Sequence, residues 1–513
     1  MAGPPMGPFA MPMYRAFVPK PIRPWIYVFF AFIFQLTGSL YAGALPHIMG
    51  STALMREDVM MVVLCNVVGV NMPFPLLFRF KFRFTNRQLL LTAAAVIAVC
   101  NFLCIYITSL PVLCILSFVA GFFKLCGTFE CASNIQLWMT PKRDFAIFFP
   151  LLYIIVVGDI CLQPWLTTVL TYHFQSWYAM HWFMIGCLMV VMLLVFTLTK
   201  NFRFMKPIPL ISVDWLGCLL WSAWILEIIF IFNYGEYYNW WDGQPIRFCT
   251  LLCVITGFFT IGRMMHIRHP YIELGAFQYK TLLPLMLLYY LSEVMNSTPK
   301  SLQNVLTGSI LHWGNITTCH LYLWEWLGTA LGCLFVLLWM KVLKQTYTRL
   351  LTIGFAAMLA YQVAMYFYID PGLNIERLYL PTVTRCFGYA IYFTALTIYL
   401  EELMPFNHFF MGLTISGFAR NGIGEAMSGG LYSYSMRHQV ADNIARTLPL
   451  EPTQSMMVAL KQLFGYTCMG GVIILLVFLL WDVPPVRKTL KIMPRWKSVG
   501  KRLRNILLRN RND

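Results

Sequence analysis

The 513-residue chain is 59% hydrophobic and 16% aromatic but only 12% charged, and its formal net charge is +17. Soluble domains average roughly 45–50% apolar and about 25% charged residues, so the composition excludes an ordinary water-soluble domain. The apolar excess recurs in segments of roughly 20 residues, the length of helix that crosses a hydrocarbon core, and the chain reads as an all-α polytopic membrane protein. Its positive charge requires no nucleic acid partner, because basic residues gather between the spans, as orientation bias and an anionic lipid bilayer favour. Fifteen cysteines are scattered through the apolar runs without CxxC or His/Cys spacing. Neither a metal site, a disulfide framework nor a cofactor is therefore expected.

The first 24 residues are Pro-rich and basic and lack the order of a cleavable signal peptide, so the first span is expected to act as the insertion signal. Fourteen spans follow, at 25–46, 58–78, 88–107, 111–136, 144–168, 177–199, 212–233, 247–265, 281–302, 320–342, 349–368, 378–403, 408–432 and 466–483. A cytoplasmic N-terminus puts Arg15, Lys20, Arg23, the runs "RFKFRFTNR", "PKR" and "KNFRFMK", and Lys341 on the inner side. The tail joins them there and alone carries ten basic residues, whereas the outer side receives only Arg56, Arg247, Arg377, Arg437, Arg446 and Lys461. Both termini are expected in the cytoplasm. In the tail, Trp496, Val499, Leu503, Ile506 and Leu507 share one helical face, as in a helix lying on a membrane surface.

The stretch from Ser212 to Phe277 carries a recognisable order. "SVDWLGCLLW" opens the seventh span with Asp214 and Gly217, "FNYGEYYNWW" closes it, and "HPYIELGAF" follows the eighth span. Further on, "ISGFARNGIGEAMSGG" holds Arg420 and Gly424, and Pro164 sits in "QPWLTT". Together these resemble the fourteen-helix drug:proton antiporters of the major facilitator superfamily, the EmrB/QacA group. The resemblance implies two six-helix halves, 25–199 and 281–483, flanking two inserted helices and a linker at 200–280, with cytoplasmic segments at 1–24 and 484–513. It implies structural roles for Asp214, Gly217, Pro164 and Gly424. The chain departs from the group at "LTGSLYAGALP", where Thr37 replaces an acidic residue, and in "LLFRFKFRFTNR", "SFVAG" and "QPWLTT".

Nine charges interrupt the spans. Lys124 and Glu130 lie in the fourth, and Asp159, Glu227, Glu293, Glu325, Arg385, Arg420 and Glu425 lie in others. Each would cost about 2.5–3.5 kcal/mol at a helix centre, so they are expected to face a cavity or each other. Asp214, at a helix start, reads as a cap. The resemblance implies a central proton-binding carboxylate, and with Thr37 in the usual place the candidates are Asp159, Glu130, Glu293 and Glu227. Lys124 and Glu130 stand about 240° apart around their helix and cannot pair. Lys124 and Asp159 match in depth, roughly 20 and 22 Å from the inner surface, so these two are expected to meet, leaving Glu130 free to titrate. Arg385, Arg420 and Glu425 are the remaining charge-pair candidates.

The resemblance implies a proton-driven exporter of small amphipathic molecules in a bacterial inner membrane, working with a periplasmic adaptor and an outer-membrane channel. The segment from Ser435 to Gly465 is a candidate adaptor surface. The degraded motifs keep open uptake of a metabolite, siderophore or peptide. An enzyme is disfavoured, because the nine His residues show no HxxxH spacing and no Ser/His/Asp set is recognisable.

Overall fold

A computed structural model of the chain describes residues 14–140, 144–201, 209–210, 213–279, 281–343, 346–446 and 452–480. The basic tail and the surface helix expected within it lie outside the described residues. The described residues form helices and no strand. A first group comprises α1 (Arg23–Leu36), α2 (Leu45–Ser51), α3 (Arg56–Asn71), α4 (Leu77–Arg83), α5 (Asn86–Tyr106), α6 (Leu110–Met139), α7 (Phe145–Phe174) and α8 (Ala179–Leu198). Next come α9 (Trp215–Asn233) and α10 (Gln244–His266). The last group is α11 (Leu282–Asn304), α12 (Asn315–Leu338), α13 (Tyr347–Tyr368), α14 (Glu376–Leu403), α15 (Phe406–Gly417), α16 (Glu425–Arg446) and α17 (Pro452–Leu480). Eleven stretches, with α3 and α4 joined as one, are long and apolar enough to cross a membrane.

Three departures from the expected spans follow from local chemistry. The first span does not run unbroken to residue 46. It stops at Leu36, passes through an extended Thr37 and re-forms as a 3₁₀ turn at Ala42–Ala44. The basic run after the second span is not simply a loop: α4 carries it as a helix, and Thr85 then starts α5. There the Thr85 hydroxyl accepts from the Gln88 N–H, and the Gln88 side chain accepts from the Thr85 N–H, both at 3.2 Å. Finally, α16 extends to Arg446 and α17 begins at Pro452, so the long outer segment is largely an extension of two helices. Asn443 bonds Gln462 between them at 3.3 Å.

Small residues let helices approach where the bundle is tightest. A side chain at Gly69 would strike the Phe118 backbone, and one at Gly121 would strike Asn66, locking α3 to α6. A Cβ at Gly332 would meet the Phe387 carbonyl at 2.6 Å, so α12 lies hard against α14. The two groups meet chiefly along α7 and α12, where a Cβ on Gly158 would touch the Trp326 indole at 2.9 Å.

The cores differ between the two ends of the bundle. At the end holding Asp144 and Lys341, here termed the base, one continuous core includes Phe148, Phe149 and Tyr153 of the first group with Leu285, Tyr289 and Phe409 of the last. Toward the other end, the mouth, one core joins Met61 and Leu64 of α3 to Tyr234 at the end of α9 and Ala426 of α16, and each group has a smaller core of its own. Leu40, Ile48, Val62 and Leu113 pack in the first, and Leu302, Leu306, Tyr361 and Leu460 in the last.

Candidate functional site

Seven of the nine intramembrane charges are tied to named partners, and the pattern is not the one that helix depth alone predicts. Glu293 on α11 is buried beside a π-helical turn, Phe418–Gly424, that joins α15 to α16. Such turns splay the backbone and often mark functional sites. The Tyr389 hydroxyl donates to Glu293 Oε1 at 2.8 Å, and Ser297 donates to Oε2. The Arg420 guanidinium lies 3.5 Å from Oε1, donates to Asn421, and covers the Phe393 ring at 4.1 Å. Glu425 opens α16 directly below this turn and interacts electrostatically with both Glu293 and Arg420. Gly424 has a local reason for being glycine, because a Cβ there would meet the Ala419 carbonyl at 2.7 Å and the Glu293 side chain at 3.4 Å.

A second cluster spans α11, α12 and α14. Glu325 accepts from Lys300 Nζ and from Arg385 Nη2, each at 2.6 Å, and Arg385 also donates to the Asn296 carbonyl at 3.0 Å. The Arg385 and Lys300 cations lie over the Tyr361 and Tyr322 rings. Lys300 lies within the expected ninth span and was not singled out there. Its signal is weak, because the lysine lies in the polar end of that span, among Asn296, Ser297, Thr298 and Ser301.

The first group contains two arrangements that correct the depth argument. Glu130 does not stay free. Lys81, expected in a loop, is 1% exposed and pairs with Glu130 at 3.4 Å while donating to Ser133 at 2.5 Å. Lys124 does not pair with Asp159. Its amino group donates to the Gln35 and Thr37 carbonyls at 2.7 and 2.8 Å, satisfying backbone acceptors released where α1 stops. The same break is held from its other side by Asn101, which donates to the Gly38 carbonyl at 3.2 Å and accepts from the Tyr41 hydroxyl at 2.9 Å. Asp159 is 1% exposed and neither carboxylate oxygen has a hydrogen-bond partner among the described residues. Lys124 and Asp159 sense each other's charge without contact.

This geometry fixes an expectation for a double-mutant cycle. Asp159→Asn should leave the melting temperature of the purified protein unchanged or raised, because it removes an unpartnered carboxylate. Lys124→Met should destabilise by about 1–3 kcal/mol, because it strands the α1 carbonyls. A coupling energy above about 1 kcal/mol between the two changes would restore the direct pair.

The inserted helices sit to one side. Glu227 of α9 accepts from Thr256 of α10 at 3.1 Å, away from the α11 cluster. Asp214 caps α9 by accepting from the Gly217 N–H at 2.9 Å, accepts from Arg263 Nε at 2.8 Å, and accepts from the Tyr271 N–H at 3.2 Å. One carboxylate thus fastens the start of α9, the end of α10 and the linker beyond. Any side chain at Gly217 would collide with it. Pro164 lies within α7, and its carbonyl would meet a Cβ on Gly43 at 2.6 Å, seating the turn after the broken α1. Among the described residues no group of three or more His, Cys, Asp or Glu is placed to hold a metal ion.

Helices of membrane-crossing length, in two groups joined along α7 and α12 with charge buried inside each, define an all-α polytopic membrane protein, and its fold is that of major facilitator transporters of known structure. The chain is similar to the human organic anion transporter MFSD10 (TETRAN), at 11% identity and a TM-score of 0.52, covering 88% of this chain and 99% of that one. It is similar to an autoinhibited POT family peptide transporter at 15% identity and a TM-score of 0.56, covering 91% and 98%. A POT family transporter in complex with 5-aminolevulinic acid matches at 14% identity and 0.57, covering 90% and 96%. No protein-family model and no curated protein matches the sequence.

Proposed function

We propose that the chain is a proton-linked secondary active transporter of small amphipathic organic molecules, with Glu293 as the proton-binding carboxylate. The observation that carries this reading is the setting of Glu293, buried beside the π-helical turn Phe418–Gly424. Glu293 shares Arg420 with that turn and is otherwise held only by neutral hydroxyls. A proton arriving there would release Arg420 toward Glu425, and the turn gives α15 and α16 freedom to follow. Asp159, an unpartnered buried carboxylate, is the second candidate. Glu130 is less suited because Lys81 holds it, and Glu227 because it belongs to the inserted pair.

In this reading α1, α11 and the α15–α16 run also cross the membrane, bringing the eleven apolar stretches to fourteen crossings (11 + 3). The base faces the cytoplasm, with the two termini. Export across a bacterial inner membrane is the direction implied by the drug-antiporter resemblance, and the hairpin of α16 and α17 would receive an adaptor leading to an outer-membrane channel. Uptake of a small charged metabolite or peptide is the second reading. It is favoured by the buried charges of both signs in the last group, Lys300, Glu325 and Arg385 in one cluster and Glu293 and Arg420 in another, which suit a charged ligand better than a purely greasy one.

Two experiments test this. Single cysteines at Tyr237 and His438, in a cysteine-depleted background, should react with an impermeant maleimide from outside the cell, and cysteines at Lys200 and Arg268 should not. Labelling of all four from one side would end the fourteen-crossing arrangement. Purified protein in liposomes, with an imposed proton gradient, should move organic ions or peptides against their gradient. Movement that ignores the proton gradient in both directions would refute proton coupling.

A further inference from the structure

α9 and α10 touch closely at Gly257, where a Cβ would meet the Trp224 indole at 2.8 Å. They part toward the base, and the space between them is an open groove of about 450 Å³ walled by Leu216, Leu220, Phe258 and Phe259. Gly262 forms its floor, and a Cβ there would meet nothing within 4 Å. Phe258 and Phe259 are 77% and 61% exposed, so the walls belong to a surface that needs hydrocarbon against it.

The groove ends in cations. Arg263 and His266 line its base end, with the exposed Arg268 and His269 just beyond. Arg263 commits Nε and one Nη2 proton to Asp214 Oδ1, at 2.8 and 2.7 Å. A guanidinium has five N–H donors, so its Nη1 group remains to bind an anion. His266 bonds the Gly262 carbonyl through Nδ1 at 2.7 Å, which leaves Nε2 for a ligand.

We infer that this groove is a binding site for one anionic phospholipid, with an acyl chain lying between α9 and α10 and the phosphate held by Arg263 and His266. An apolar slot open to the bilayer and bounded by basic side chains at the level where α10 ends has the chemistry of that amphiphile and of no water-soluble anion. The site lies away from the α11 cluster and does not depend on the transport reading. Because Arg263 also holds Asp214, the bound phosphate would share its guanidinium with the carboxylate that fastens α9, α10 and the linker.

Native mass spectrometry of the full chain in detergent tests this, titrating phosphatidylglycerol, phosphatidylcholine with the same acyl chains, and inorganic phosphate in parallel. Phosphatidylglycerol should be retained about fivefold more tightly than phosphatidylcholine, the increment of one basic group near an anionic headgroup. Gly262→Leu, which fills open space, should abolish that retention while the melting temperature stays unchanged. Should Gly262→Leu melt early, the exposed change His266→Ala supplies the same reading at the headgroup end. Equal retention of the two lipids, or retention that survives both variants, overturns the inference. So does protection by inorganic phosphate equal to that by phosphatidylglycerol, which would leave the apolar groove without a part.

Discussion

Glu293→Gln should abolish gradient-driven movement of substrate while the protein stays folded and its substrate exchange down a gradient continues. Glutamine keeps the shape of the side chain: its carbonyl oxygen can accept from Tyr389, and its amide can donate to the Ser297 hydroxyl, which turns to accept. It loses the charge that faces Arg420 at 3.5 Å. The guanidinium would then rest on Phe393 and turn to Glu425, as if Glu293 were permanently protonated. A transporter held in that form can move substrate but cannot spend a proton gradient on it. Reconstituted vesicles separate the two activities, since counterflow requires no gradient and accumulation does. If accumulation by Glu293→Gln equals that of the parent, the proton is carried elsewhere, and Asp159→Asn becomes the next variant to measure.

Glu325→Gln should produce the largest loss of stability of any single change. The carboxylate stands between Lys300 and Arg385 at 2.6 Å from each. Removing its charge leaves two cations facing each other, one of them fully buried, and breaking such a buried pair typically costs about 3–5 kcal/mol. Folded domains hold only about 5–15 kcal/mol in total. The change is therefore expected to lower the yield of monodisperse protein and the melting temperature together. Replacing Lys300, Glu325 and Arg385 all by Met should recover most of the loss, because no charge is then stranded. A single variant that melts with the parent, or a triple variant as poor as the single, would show that the pairing is not what holds α11, α12 and α14 together.

Much of the bundle is readable from composition, since a run of about 20 apolar residues has few alternatives to a crossing helix. The cap at Asp214 is readable too, because an acidic residue three before a glycine at a helix start is a local signal, and the bonds that form it span only three residues. The break after Leu36 is only half legible: Thr37, Gly38, Ser39 and Gly43 in "LTGSLYAGALP" weaken a helix, but the partner that takes up the released carbonyls is Lys124, distant in sequence. Lys81 was hidden for another reason. It lies among basic residues, as a loop lysine would, and only the approach of α6 shows that this one points inward to Glu130. Depth along a helix comes from counting residues, but direction around it depends on neighbours. Lys124 and Asp159 accordingly agree in height and still bond to different things.

The unequal packing at the two ends bears on how the proposed transport cycle would start from this conformation. At the base, Phe149 lies against Phe409 with ring centres 6.2 Å apart, Phe78 against Phe410 at 4.6 Å, and Tyr153 against Phe393 at 4.8 Å. Asp144 and Lys341 close the rim. These rings, packed edge-on or tilted, join the two groups at the base, whereas two of the cores toward the mouth are each confined to one group. If the chain transports as proposed, this is the conformation shut at the base, and the ring contacts there are what a working cycle has to part.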